Sequence, residues 1–370
     1  MPGLAAIETP ALFNVQQRRM LSDAVTDLLW SPLDNKLYAA SAAGDIQHLD
    51  ADGKPLMQWQ AHSGGVTRLR LQPNNPAVLA SAGEDGRVVL WDSADGSEQS
   101  TLIDENDWIE HLDWTPDGNV LAAAARKTIS LWRGAESLGI WYDARRQVLA
   151  MAWAPDGKRL ATAANKGLYL WRMQDAGNDS SEPMQLLSFP GAPVSLAWQP
   201  NSRALAVGTQ DGFLQIWRPA DTAGGKRKES AKQLTMRGYP GKVNCLAWHP
   251  KTALIATAGG PDVVLWHLSG NGTKGTPLHH HQRTVTAVAW SPDGSLLASG
   301  DRAGRLCIWD GEGDAVFSQM LDHEISTLGW RHDSQTLAVG DTSGALHLID
   351  RNPTNPPTST TSPDEEAHVD

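Results

Sequence analysis

A tryptophan followed two residues later by a proline recurs at a regular step along almost the whole chain. The copies are Trp30-Ser31-Pro32, Trp114-Thr115-Pro116, Trp153-Ala154-Pro155, Trp198-Gln199-Pro200, Trp248-His249-Pro250 and Trp290-Ser291-Pro292. Leu71-Gln72-Pro73 and Trp330-Arg331-His332 are degenerate copies in the same series. The step is about 40 to 50 residues, a period of propeller or solenoid arrays. Such a chain points to a scaffold that presents a surface, not to an enzyme built around one pocket.

A second marker keeps the same step. After each Trp-Pro element come small residues, then Gly, then an apolar run ending in Trp. Leu79-Ala80-Ser81, Gly86 and Val88-Val89-Leu90-Trp91 show the order, as do Leu297-Ala298-Ser299, Gly304 and Leu306-Cys307-Ile308-Trp309. Each unit therefore holds three short strands: a, ending in Trp-Pro; b, the small-residue run; and c, ending in the second Trp. Pro116-Asp117-Gly118, Pro155-Asp156-Gly157 and Pro292-Asp293-Gly294 turn a into b. Proline presets φ there, Asp bonds the local backbone and Gly supplies a positive φ. Asp85-Gly86, Asp211-Gly212 and Ser343-Gly344 suit tight b–c hairpins. The strands are almost continuously apolar, as expected of sheets covered on both faces. Blades stacked around an axis meet that condition.

On these motifs the chain resembles the WD40 repeat family over residues 11–350. Only Trp91-Asp92 and Trp309-Asp310 spell the dipeptide that names the family. The resemblance implies an all-β, WD40-type β-propeller of four-stranded blades. It implies an outer strand d in each unit, beginning near Leu56, Gln99, Leu138, Met184, Leu234, Pro277 and Val316. An eighth such segment, Leu12 to Leu21, precedes the first strand a and has nothing upstream to join. Paired with the last unit, it closes the ring and protects both edges. Eight blades are expected; a seven-bladed ring is the alternative if the last unit is a ragged cap. Residues 1–10 read as an extension. Residues 351–370, rich in Pro, Thr and Ser and containing Asp364-Glu365-Glu366, read as a disordered tail.

The chain has 370 residues, enough to bury a core without disulfides, and its two cysteines, Cys245 and Cys307, fall in strands as buried thiols. No secretory signal and no apolar run of about 20 residues is read, so a cytoplasmic protein off the membrane is expected. Acidic residues outnumber basic ones, 42 against 31, for a net charge of −11. That argues against general nucleic-acid binding, which rests on neutralising phosphates.

His62, Ser81 and Asp85 look like a nucleophilic triad. No strained G-x-S-x-G elbow surrounds the serine. The resemblance instead assigns them, with Trp91, to a structural hydrogen-bond network. In the seventh unit His281, Ser299 and Trp309 align, but Ala303 stands at the Asp position, so the His62 copy reads as the single complete one. His279-His280-His281 is the dense histidine cluster, and His323 lies in the next connection. Imidazoles suit zinc, copper or nickel. A metal-associated or small-molecule-binding propeller is therefore the second functional reading. No cofactor is expected.

The first reading is a non-enzymatic scaffold, a monomeric fold within a complex. The resemblance places its partner on the top face, built from the d–a and b–c loops. The candidates there are Trp108, which is not a repeat tryptophan, Arg126, Arg145, Arg146, Tyr239, Lys242 and Arg302. Tyr239 sits where the structural His would be. Trp141 and Tyr142 end a strand d, and Trp141 is read either as part of this surface or as packed beneath its neighbours.

Overall fold

The computed structural model describes residues 12–104, 107–142, 147–164, 167–175, 183, 185–188, 191–218, 234–268 and 275–352. Within them the strands form eight four-stranded antiparallel sheets, and no α-helix occurs. Seven blades use four consecutive strands in the order a-b-c-d. The eighth joins Phe13–Met20 to Ala345–Arg351, so the N-terminal strand is the outer strand of the last blade. The molecule is an eight-bladed ring closed by strands from its two ends, and the seven-bladed alternative falls. The end segments 1–11 and 353–370 lie outside the described residues.

The apolar core is divided by joints, not gathered in one centre. Eight clusters of buried side chains each span two consecutive blades. Strand b supplies much of the flat surface: Leu121, Ala122, Ala123, Ala124 and Ala125 are all buried. Small side chains let neighbouring sheets approach where the ring is narrow. The third and fourth blades also bring Trp141 and Trp171 into parallel stacking at 5.4 Å. Burying one such side chain is worth about 1.5–3 kcal/mol.

The recurring tryptophan of strand a has a specific job. Its indole N–H reaches the backbone carbonyl just before the equivalent tryptophan of the preceding blade. Trp153 donates to Asp113, Trp198 to Ala152, Trp248 to Ala197, Trp290 to Ala247, Trp330 to Ala289 and Trp30 to Gly329, at 2.9–3.3 Å. The ladder breaks around the second blade. Leu71 has no donor, and the Trp114 Nε1 is buried without a partner. There Arg70 acts as the tie, 3.0 Å from Asp27 of the first blade and 3.7 Å from Asp113 of the third.

A hydroxyl ladder runs nearer the other end of the strands. Thr67, Ser195, Thr286 and Ser326 donate to the carbonyls of Ile109, Val243, Ile325 and Val25, each on the following blade. The joints between the fifth and sixth, seventh and eighth, and eighth and first blades carry both ladders, which gives the loops above them a braced frame.

Candidate top-face site

In the second blade the top-face loop is anchored by polar groups buried at the end of strand b. His62 Nε2 lies 2.7 Å from Ser81 Oγ, and its Nδ1 lies 2.8 Å from Asp85. Trp91 Nε1 donates to the same hydroxyl at 2.8 Å. Burial lowers the His62 pKa despite the opposing Asp85 charge, so the ring is neutral. The proton order follows: indole N–H to serine oxygen, serine O–H to Nε2, Nδ1–H to carboxylate. Burial opposes charge on Asp85, but hydrogen bonds from Ser63 and His62 outweigh it and hold its pKa low. Ser81 is 0% and His62 1% exposed, so no substrate reaches this trio.

The seventh blade corrects the sequence reading. Its network is also complete, with Asp301 as the carboxylate in place of the expected Ala303 position. His281 Nδ1 lies 3.0 Å from Asp301, its Nε2 2.7 Å from Ser299, and Trp309 donates to Ser299 at 2.8 Å. Asp301 sits two residues after the serine, whereas Asp85 sits four after. Both carboxylates also cap the b–c turn: Asp85 accepts from Arg87, and Asp301 from Ala303 and Arg305.

Tyr239 is likewise part of a network and not a free contact residue. Trp266 Nε1 donates to its Oη at 2.7 Å, and that hydroxyl meets Thr257 Oγ1 at 2.6 Å. It replaces the histidine with a longer side chain carrying one hydroxyl. Trp141 is 1% exposed and leaves the surface candidates too. The histidine run is spread over different tasks. His281 has both nitrogens engaged, His279 pairs with Asp262 at 2.9 Å, and His280 packs edge-on to Trp309. Among the described residues no group of three or more His, Cys, Asp or Glu is placed to hold a metal ion.

Trp108 and Arg126 do come together. Trp108 is 56% exposed, the most exposed tryptophan among the described residues. With Asp107, Glu110, Arg126, Lys127 and Gln147 it lines a cavity of about 460 Å³. Arg126 is held 3.0 Å from Asp107, and Gln147 bonds both oxygens of Glu110. The other side of Trp108 faces the mouth of the central channel, beside Arg68, Glu84 and Ser326. Arg126 has φ of 45°, a left-handed conformation that a large side chain resists. Arg145 and Arg146 lie outside the described residues, as does the Tyr142 side chain.

Lys242 and Arg302 share a separate cleft of about 320 Å³ between the sixth and seventh blades. Sequence reasoning missed the channel wall below the mouth, where Arg68, Arg70, His111, Asp113 and Ser195 line a further cavity of about 270 Å³. Their signal was present: charged residues in an otherwise apolar strand a. Burial there pulls the His111 pKa down to about 4, with Arg68 adding to the effect.

Comparison with known proteins agrees with this architecture. The family model described as WD domain, G-beta repeat matches residues 53–92, 96–133 and 137–172. The model described as IFT140 first beta-propeller matches residues 190–327. The chain is similar to Telomerase protein component 1 of Rattus norvegicus, 25% identical over 271 residues, covering 68% of this chain and 10% of that protein. It is similar to the Anaphase-promoting complex subunit cdh1 of Dictyostelium discoideum, 35% identical over 127 residues, 32% of this chain and 15% of that one. Coronin-7 of Homo sapiens is 32% identical over 124 residues, 32% of this chain and 13% of its own length. The match thus spans a small part of each relative. Among solved structures, the computationally designed Ika8 protein superposes with a TM-score of 0.74 at 21% identity, covering 90% of this chain and 97% of that one, a likeness of fold alone. With its repeat motifs, its eight blades and these matches, the chain belongs to the WD40-repeat β-propeller family.

Proposed function

We propose that this propeller is a non-enzymatic scaffold that engages a protein partner through its top face, centred on Trp108. The observation that carries this reading is an exposed indole at the channel mouth, with Asp107, Glu110, Arg126 and Lys127 beside it. Tryptophan and arginine in such a setting are typical energetic centres of interfaces. The frame beneath is pinned by two hydrogen-bond ladders, so little ordering entropy is lost on binding. The WD40 family is generally one of protein-interaction scaffolds. One relative is named as a subunit of a complex, which supports the same reading.

The test compares recovery of co-purifying proteins by tagged wild type, Trp108→Ala and Leu33→Ala. Leu33 is 76% exposed and sits in an a–b turn at the opposite end of the blades. Loss of a specific partner with Trp108→Ala alone, at unchanged melting temperature, supports the reading. Loss with Leu33→Ala alone contradicts it.

A further inference from the structure

The sixth blade departs from its neighbours at the top. In the first, second, fifth, seventh and eighth blades, a backbone N–H in the b–c turn bonds the carbonyl of the residue just before strand a. The pairs are Ala42 to Ala24, Glu84 to Gly65, Gln210 to Ala192, Arg302 to Thr284 and Thr342 to Glu324. In the sixth blade the equivalent donor is the Gly260 N–H, which makes no hydrogen bond among the described residues, while the Gly260 carbonyl accepts from Val285 of the seventh blade. Strand a there begins only at Cys245 and is four residues long, against six or seven in most other blades. The loop before it packs against the turn through Pro240 and Gly241 but lacks this backbone tie, and a cleft lies beside them.

The lining of that cleft is one-sided in charge. Lys242, Asn244, Thr284, Thr286 and Arg302 contribute the polar side chains, and no carboxylate lines it. Lys242 makes no ion pair among the described residues. Arg302 meets only Glu324, at 3.5 Å and well exposed. The N–H groups of Gly241, Gly259 and Gly260 are free of hydrogen bonds among the described residues. Glycine is needed at the turn: a Cβ on Gly260 would fall 2.3 Å from Pro240. Free backbone N–H groups beside a lysine and an arginine are the chemistry that holds a compact anion. This sits on a chain of net charge −11.

Resting on the reading that the top face binds a protein, we infer that the cleft between the sixth and seventh blades takes a phosphomonoester dianion on that partner, a phosphorylated side chain. A phosphate offers three acceptor oxygens to these donors and carries close to two charges at neutral pH. The acidic chain as a whole repels extended polyanions, so a single phosphate on a peptide fits better than a nucleic-acid backbone.

The test uses a fluorescein-labelled Gly-Gly-phosphoserine-Gly-Gly peptide, its serine and glutamate versions, and a single-stranded DNA 12-mer, titrated by anisotropy. The phosphopeptide is expected to bind about tenfold or more tighter than the other three probes. Lys242→Ala is expected to weaken it by about tenfold, the scale of one charge-assisted bond. Glu324→Gln is expected to tighten it severalfold by freeing Arg302. Equal affinity for the serine peptide, absence of binding, or indifference to Lys242→Ala overturns the inference. So does DNA binding of equal strength that Lys242→Ala abolishes. The assay needs no natural partner, so it can fail while the Trp108 comparison succeeds, and the reverse.

Discussion

A single backbone angle separates two roles for Arg126. Its left-handed φ costs free energy that glycine would not incur, while its exposed pair with Asp107 contributes little. Arg126→Gly is expected to raise stability by about 0.5 kcal/mol in denaturant melts, after the larger chain entropy of glycine is deducted. The same variant is expected to weaken partner recovery. A stabilised variant with unchanged recovery would assign Arg126 no part in binding. His111 gives a pH signature. The folded state keeps it neutral down to about pH 4, whereas the unfolded chain binds that proton near its ordinary value of 6.5. Between these values the unfolded state holds more protons, so the contribution is complete above pH 6.5 and disappears as the pH falls. The loss amounts to roughly 3 kcal/mol. His111→Gln is expected to flatten the pH dependence of melting in that window. Residue-level chemistry was the least legible in the sequence. Asp301 lies two residues after its serine and Asp85 four after, so one fixed spacing from the serine does not reveal both carboxylates. Gly300-Asp301 and Gly340-Asp341 repeat in the last two units and were the available signal. Tyr239 was recognised as standing in the histidine's place, yet only geometry shows its hydroxyl inserted between Thr257 and Trp266.

At the scale of the strand, the Trp-Pro element marked strand a from sequence, but not why tryptophan recurs. The reason lies between blades: the indole donates to a carbonyl that belongs to a different repeat, and one-dimensional spacing cannot show that. The break at Leu71 provides a matched pair for measurement. Trp153 and Trp114 are both buried, but only the Trp153 N–H has an acceptor. Trp153→Phe is expected to cost about 1 kcal/mol more than Trp114→Phe in chemical denaturation, the net worth of one hydrogen bond. Equal costs would mean that the ladder adds nothing beyond packing. The short strand a of the sixth blade belongs to this scale as well. Its b–c turn reads Gly259-Gly260, and the bond from that turn to the residue before strand a is absent among the described residues.

For the whole molecule, repeat period and strand count were enough to give the propeller and its eight blades. The unpaired segment at the N-terminus gave the closure, because an edge strand needs a partner and only the last unit lacked one. The interaction surface was legible only in part, since repeats define what is regular and binding depends on what is not. Trp108 stood out because it broke the pattern; Trp141 broke it too, and packing buried it. The central claim is a closed ring that holds its top face rigid, and the clasp between Phe13–Met20 and Ala345–Arg351 is where it is most exposed to test. Amide hydrogen exchange followed by mass spectrometry on the peptide covering residues 13–20 measures it directly. Closure requires slow exchange in that peptide, lost together with its partner strand in one cooperative opening. Exchange at the rate of an unstructured chain, with the inner strands still protected, would contradict it.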